Sequence, residues 1–475
     1  MKDQEKIDEG VALYVKTYGN EPSVTPLAGA GSDRLYRRMH SDDGPTVVAT
    51  TGNDVAENAC FIGLAKAFRE SGCNVPEIIA VSSDGKDYLQ EDLGDTALLP
   101  LLSTPARKEL SAKALRSLAR LQTVDESVWM PHVVSKPFSQ RLVMWDLNYF
   151  KYEFLKPSGI AFDEEALEDD FQRLASDVTE IDPRLWGFMY RDCQSRNVMV
   201  RDGEPWWIDF QGGRKGPLIY DAVSFLWQAK AGFTPEERKE LLNIYAEELA
   251  GLRDVTAAEV LGDVGRIALL RTLQVLGAYG FRGLVEKKAH FIESIPGALR
   301  NLHQLKEAGE LEAYPEISKF ADAAMSSRFM AEPSGDGLTV KVFSFSYKKG
   351  YPEDLSGNGG GFMFDCRGMH NPGRYDQYKP LTGLDREVID FLEERGEVQD
   401  FVETSFSLVR PTIARYLQRG FRSLQVGFGC TGGRHRSVYC AQHFAEMASK
   451  VFPDARIELV HREQGLARVY NEKKI

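Results

Sequence analysis

The 475 residues carry 58 Lys and Arg against 70 Asp and Glu, a net charge of −12, with no apolar run near the length a bilayer requires. That length exceeds one ordinary core, so two or three domains are expected, and a membrane-spanning chain is excluded. The charged start Met1 Lys2 Asp3 leads into no apolar signal segment. Six scattered cysteines (Cys60, Cys73, Cys193, Cys366, Cys430, Cys440) form no Cys-x-x-Cys pair and no zinc spacing, so a cytoplasmic protein without membrane partner, disulfides or structural metal is expected.

The charge is unevenly spread. From Leu338 onward 20 Lys and Arg stand against 17 Asp and Glu, a net of +3, which leaves −15 for the first 337 residues. The front part repels nucleic acid on average, while the back part permits a basic patch.

In chain order, the strand-like runs Thr46–Thr50 and Asp87–Leu93 flank Val55–Glu70, whose Phe61, Ala65 and Phe68 recur at helical spacing. This predicts a small mixed lobe. Two short apolar strands follow, Asn197–Arg201 and Pro205–Phe210, around the turn Asp202 Gly203 Glu204. The chain then turns helical. Thr234 with Glu237 makes a capping box, Pro235 takes the first helical position, Gly251 is expected to close that helix, and Arg266–Tyr279 is a second helix. The small, polar run Met325–Leu338, with Pro333, Gly335 and Gly337, reads as a linker. Beyond it, strands (Thr339–Tyr347, Ser423–Gly429, Arg456–His461) alternate with helices (Asp385–Glu394, Phe406–Gln418, Ser437–Lys450), which predicts a three-layer α/β domain.

Chemistry concentrates in Tyr190 Arg191 Asp192 Cys193 Gln194 Ser195 Arg196 Asn197 and in Ile208 Asp209 Phe210. An Asp can accept the proton of an attacking hydroxyl, while an Asn and a second Asp hold Mg²⁺ against nucleotide phosphates. An Asp and an Asn at this spacing also suit a capped turn. A hairpin with a carboxylate on its return strand favours the catalytic reading, with Asp192 as base and Asn197 and Asp209 as metal ligands.

With those residues the front part, about Gly10 to Leu311, resembles the aminoglycoside phosphotransferase and choline kinase superfamily, a branch of the protein-kinase-like fold. Its narrower likeness is to the anomeric kinases of N-acetylmuramate and N-acetylglucosamine in cell-wall recycling. That likeness rests on Gly29–Arg38, Gln90–Asp95, and Ile208–Gln211 with Gly216, Pro217, Tyr220 and Asp221. The helix with Arg271, Gln274 and Gly277 is a weaker fourth stretch. The resemblance implies an α+β bilobal domain over 1–324 (lobes about 1–93 and 94–324), a linker over 325–337 and a second domain over 338–475. It also implies ATP and Mg²⁺, a sugar acceptor, and an ATP site at Gly29, Gly31, Ser32, Arg37, Gln90 and Asp92.

Two departures stand out. Kinases of this fold carry a third-strand Lys that pairs with phosphates, but Thr46–Thr50 offers none; the nearest cations are Arg34, Arg37 and Arg38, and Glu57 is expected to lack its ion-pair partner. Tyr190 stands where His is commoner, a change expected to be tolerated. Asp221 is expected to lock the helical lobe.

The back part carries Gly427 Phe428 Gly429 Cys430 Thr431 Gly432 Gly433 Arg434 His435 Arg436 Ser437, a loop between strand and helix suited to an anion. Cys430 and Arg436 have the spacing of cysteine phosphatases, although Gly429 replaces their usual His. The second reading is a resemblance over about Val340–Gln464 to the C-terminal domain of the RNase adapter RapZ, carried by Phe364–Arg367 with Asn371 Pro372, Leu381–Asp385 and Gly429–Val438. That family binds small RNA and senses glucosamine-6-phosphate, which implies a sugar-phosphate site at Asp365, Arg367, Asn371, Cys430, Thr431, Gly432, Gly433, Arg434, His435, Arg436 and Ser437. Asp365 and Asn371 have an alternative role in holding loops. RNA is an implied partner, with only Arg456, Arg462, Arg468, Lys473 and Lys474 as terminal basic residues, and a hexosamine phosphate is an implied effector. Alternatives are a non-catalytic RNA-binding regulator with a pseudokinase lobe, and an aminoglycoside- or choline-type kinase.

Overall fold

The computed structural model describes residues 2–27, 34–42, 44–286, 288–327, 329–330, 337–352 and 361–471. The chain separates into two compact units, 1–280 with 294–326, and 281–293 with 327–475.

The first unit opens with helix α1 (Lys2–Tyr18) and an antiparallel sheet of β1 (Ser23–Leu27), β2 (Leu35–His40), β3 (Val47–Thr51), β4 (Ile78–Val81) and β5 (Asp87–Glu91), ordered β1-β2-β3-β5-β4. Between β3 and β4 runs α2, Val55–Glu70 as expected, its first turn closed by Asp54 accepting from Glu57 N. Because strand side chains alternate, one face of the sheet gives Met39, Val47, Ala49 and Leu89 to a core with Leu13 and Tyr14 of α1. Arg37 lies on that same face, between Met39 and the buried Asp87.

The helical lobe holds α3 (Arg107–Gln122), α4 (Gln140–Phe150) and α5 (Glu164–Asp177), then four strands: β6 (Trp186–Met189), β7 (Val198–Arg201), β8 (Glu204–Trp207) and β9 (Arg214–Pro217). β7 and β8 form the expected hairpin, tightened by Asp202 and Gly203, which both take positive φ (53° and 74°). The return strand ends at Trp207, earlier than expected, so Asp209 sits just beyond it. There follow α6 (Ile219–Leu226), α7 (Pro235–Leu252), α8 (Val264–Tyr279), α9 (Ile295–Glu307) and α10 (Pro315–Met325). The Thr234–Glu237 capping box is present. Gly251 does not close α7: the helix continues through it, and Arg253 N–H caps Leu249 O. At Gly277 a β-carbon would sit 2.9 Å from Phe150 N, so glycine there lets α8 approach α4 closely.

In the second unit, β10 (Thr339–Ser346), β11 (Gly361–Asp365), β12 (Ser423–Cys430) and β13 (Arg456–His461) are parallel, and β14 (Leu466–Tyr470) closes the edge antiparallel, in the order β11-β12-β10-β13-β14. This is an α/β domain. Its helices are α11 (Arg386–Glu393), α12 (Glu397–Arg419) and α13 (Arg436–Val451). α12 begins nine residues before the expected Phe406, because the buried stripe already starts at Val398 and Val402. One core joins Val388, Val402, Val409, Phe444 and Ala445 of these helices to Val340, Val342, Val426, Phe428, Ile457 and Leu459 of the sheet. All three helices therefore cover one face, which alternation alone does not dictate. The steps β11 to β12 and β12 to β13 run in the same direction across the sheet, and right-handed crossovers then put their helices on the same side.

Candidate active site

The segment after β6 positions the site. Arg191 takes a left-handed conformation (φ 74°), unfavourable for a residue with a β-carbon. It is held there by Asp221, fully buried on α6, whose Oδ1 accepts from Arg191 N (2.8 Å) and Oδ2 from Tyr190 N (2.7 Å) and Gln122 Nε2 (2.7 Å). Burial pushes the Asp221 carboxyl up to about 7, against the pull of those donors. Asp221 thus has the locking role expected of it. Tyr190, buried, donates from its hydroxyl to Ile208 O and packs edge-on against Trp207 and Phe210, tying the Asp192 segment to the Asp209 segment.

Asp192 is exposed, and Asn197 Nδ2 donates to its carbonyl at 2.9 Å. Ile208 N donates to Asn197 O (3.1 Å), which brings Asn197 alongside the approach to Asp209. Asp209 is left-handed (φ 68°), and Gln211 Nε2 donates to its Oδ1 (2.8 Å). A β-carbon on Gly212 would lie 3.4 Å from Asp192 Oδ2, so the loop after Asp209 folds back over the Asp192 carboxylate. The residues read as base and metal ligands therefore belong to one connected network. Phe210 stacks on Phe61 (4.8 Å between centroids) and meets Phe68 edge-on, which fixes α2 against this loop.

Among the described residues, no group of three or more His, Cys, Asp and Glu is arranged to hold a metal ion. Asn197 and Asp209 nevertheless suit Mg²⁺. The amide is oriented by its Nδ2 bond so that Oδ1 remains an oxygen donor, and a cation shared with nucleotide phosphates needs only one or two protein ligands.

The nucleotide side differs from expectation in several places. Gly29, Gly31 and Ser32 lie outside the described residues. Arg37 is turned away from the sheet face bearing Thr50 and Gln90: it is buried, donates to Thr51 Oγ1 and stands 3.6 Å from Asp87, so it is a structural cation and not an ATP contact. Gln90 Nε2 donates to Thr50 Oγ1 (2.9 Å). The Asp92 carboxylate is already taken by Arg38 (2.6 and 3.0 Å) and Gly94 N (2.9 Å), which leaves the backbone of this junction and not the side chain to meet a base. Glu57 does not lack a partner: Arg34 Nη2 lies 3.3 Å from its Oε1.

In the second unit, Thr431 O accepts from Ser346 Oγ, Gly433 O from Gln464 Nε2, and Arg434 O from Gly383 N. In trans peptides the following N–H points the opposite way, so the amides of Gly432, Arg434 and His435 face away from those partners. Gly433 is left-handed (φ 65°). Burial raises the Cys430 thiol, but Ser437 Oγ at 3.1 Å, the backbone of Ser437 and Arg434, and Arg436 outweigh it and hold the thiol below its ordinary value. The side chains read as anion donors have other partners. Arg434 donates to Leu381 O and Pro380 O, His435 meets Tyr378 O, and the buried Arg436 donates to Arg367 O and Met369 O. They anchor the loop to residues 367–381. Asp365 pairs with Arg367 (2.7 Å) and Asn371 Oδ1 accepts from Gly373 N, so both hold turns. The main-chain amides of the loop, Thr431 and Arg434 Nη1 are left for an anion.

The first unit carries a phosphotransferase-type domain and the second unit a separate α/β domain. Residues 23–255 match the phosphotransferase enzyme family, and residues 338–465 match the RapZ C-terminal domain; the chain carries one domain of each. It is 41% identical over 114 residues to a nucleotide-binding protein of Thermotoga neapolitana (24% of this chain, 39% of that protein). It is 31% identical over 195 residues to a nucleotide-binding protein of Fervidobacterium nodosum (38% of this chain, 66% of that one). The chain thus spans 39% and 66% of these relatives' lengths, less than two-thirds in both. Among solved structures, an amicoumacin kinase in complex with AMP-PNP and Ca²⁺ overlaps loosely, with 14% identity and a TM-score of 0.48, covering 67% of this chain and 94% of that one. Among the described residues no helix is long and apolar enough to cross a membrane.

One cluster of charged side chains near this network lies outside what sequence reasoning picks out. Asp146, Arg191, Arg214 and Arg271 gather beside Asp192, from positions up to 125 residues apart on separate elements. No local spacing announces such a cluster.

Proposed function

We propose that the chain is a cytoplasmic ATP-dependent kinase of a sugar hydroxyl, with the anomeric hydroxyl of an N-acetylated amino sugar such as N-acetylmuramate or N-acetylglucosamine as acceptor. The observation that supports it best is the connected network Asp192–Asn197–Ile208–Asp209, with the exposed Asp192 carboxylate beside the Gly212 loop. Asp192 Oδ2 orients the acceptor hydroxyl and takes its proton as that oxygen attacks the γ-phosphorus in line. Asn197 Oδ1 and the Asp209 carboxylate are the groups that would hold Mg²⁺. When bound, the ion neutralises charge on the nucleotide phosphates. Arg34, paired with Glu57, takes the place of the absent third-strand Lys, and this favours a working kinase over a pseudokinase.

The second unit is read as a module that holds a phosphorylated hexosamine on the loop amides of 432–435. RNA binding has less support, because Arg462 donates to Gly350 O and Arg456 to Glu458. The test is incubation of the purified chain with Mg·ATP and each sugar, with the product analysed by ³¹P NMR. An acceptor-dependent anomeric phosphate is expected, and ATP left intact with every sugar refutes the reading.

A further inference from the structure

A cavity of about 210 Å³ in the second unit has no part in the chemistry above, and none of its lining residues belongs to the 430–437 loop. Four rings wall it. The Phe391 ring, near the end of α11, meets His370 (5.2 Å between centroids), Tyr375 (5.4 Å) and Tyr378 (5.0 Å), and Tyr375 meets Tyr378 edge-on at 6.3 Å. Buried Met369, Leu392 and Val398 complete the lining. The neighbouring loop braces these walls, because Met369 O accepts from Arg436 Nη1 (2.8 Å) and Tyr378 O from His435 Nε2 (2.9 Å). The recess therefore stands formed before a ligand enters.

Ring chemistry and charge decide what it takes. His370 Nε2 and the Tyr375 hydroxyl, 3.2 Å apart, satisfy each other, so these walls offer ring faces more than directed hydrogen bonds. An aromatic face carries negative charge in its quadrupole, and several rings around one small volume attract a cation. The charged residues that line the cavity are Glu394, Glu397 and Arg395, two carboxylates against one guanidinium. Charges around it are spent elsewhere: Asp376 pairs with Lys379 (2.5 Å), Asp390 with Arg386 (2.7 Å), and Glu393 accepts from Tyr439 OH (2.6 Å). Arg374, next to Tyr375 in the chain, does not line it. An anion is disfavoured there, and a nucleobase finds few directed partners.

We propose that this cavity binds a small organic cation, a methylated or quaternary ammonium, among the rings of His370, Tyr375, Tyr378 and Phe391, with Glu394 and Glu397 completing the charge. Its volume suits one cationic head group and not a polymer. The site stands or falls independently of phosphate transfer by the first unit.

The experiment titrates tetramethylammonium, and tert-butanol as a neutral probe of similar shape, into the full chain at constant ionic strength, followed by calorimetry and by proton NMR of the probe. Tetramethylammonium is expected to bind at least about tenfold more tightly than tert-butanol, with its methyl protons shifted upfield by the rings. Tyr375 is 44% exposed, so its exchange leaves the core intact. Tyr375→Leu is expected to lower tetramethylammonium affinity by about 3- to 10-fold, and Tyr375→Phe, which keeps the ring face, to retain it. Equal binding of the two probes, no binding of tetramethylammonium, or an affinity in Tyr375→Leu equal to that of the parent chain overturns the site.

Discussion

Arg34 Nη2 stands 3.3 Å from Glu57 Oε1, so a cation just before β2 meets a carboxylate on α2, the helix after β3, where protein kinases pair a Glu with a third-strand Lys. If this pair positions phosphates, Arg34→Met lowers kcat/KM for ATP by about 10- to 100-fold, and Arg34→Lys recovers part of it. Steady-state kinetics at saturating acceptor checks this. Unchanged ATP kinetics in Arg34→Met removes the pair from nucleotide binding.

Asp221 collects Tyr190 N–H, Arg191 N–H and Gln122 in a fully buried place. Asp221→Ala strands those donors and releases the left-handed Arg191, at a cost of about 3–5 kcal/mol in stability. Urea denaturation measures it. A loss below about 1 kcal/mol contradicts the locking role.

The sequence made some of this legible and hid the rest for identifiable reasons. Val55–Glu70 and Arg456–His461 were readable to the residue, since Asp54 caps the first and both carry a clear apolar period. The Asp202–Gly203 turn announced its hairpin, and with it the nearness of Asn197 and Asp209. The face on which Arg37 lies depended on the register of β2 against β3, which local pattern does not fix. The carbonyl partners of Arg434 and Arg436 are not legible, because a basic residue in a glycine-rich loop looks the same whether it meets an anion or a backbone carbonyl.

His461 is buried, with Nδ1 at 2.9 Å from Ser344 Oγ and Nε2 at 3.2 Å from Gln442 Oε1, and burial depresses its pKa from 6.5 to about 4. The unfolded chain binds a proton at 6.5 and the folded one resists until about 4. The stability contributed by neutral His461 is therefore complete above pH 6.5 and is lost as pH falls toward 4, by up to about 3 kcal/mol. Denaturant midpoints between pH 7.5 and 4.5 show a fall that His461→Gln flattens. Parallel curves for the two proteins contradict it.

Asn197→Ala removes one oxygen ligand while keeping Asp209. The Mg²⁺ concentration for half-maximal rate then rises by about tenfold, and a chelator abolishes transfer in the parent chain. A Mg²⁺ titration that superimposes on the parent excludes Asn197 as a ligand.

The central claim is proton removal by Asp192, and single-turnover transfer from Mg·ATP to N-acetylmuramate in Asp192→Asn tests it most directly. The rate of the chemical step is expected to fall by about 10²- to 10⁴-fold while ATP affinity is retained. A chemical step as fast as that of the parent chain contradicts the account.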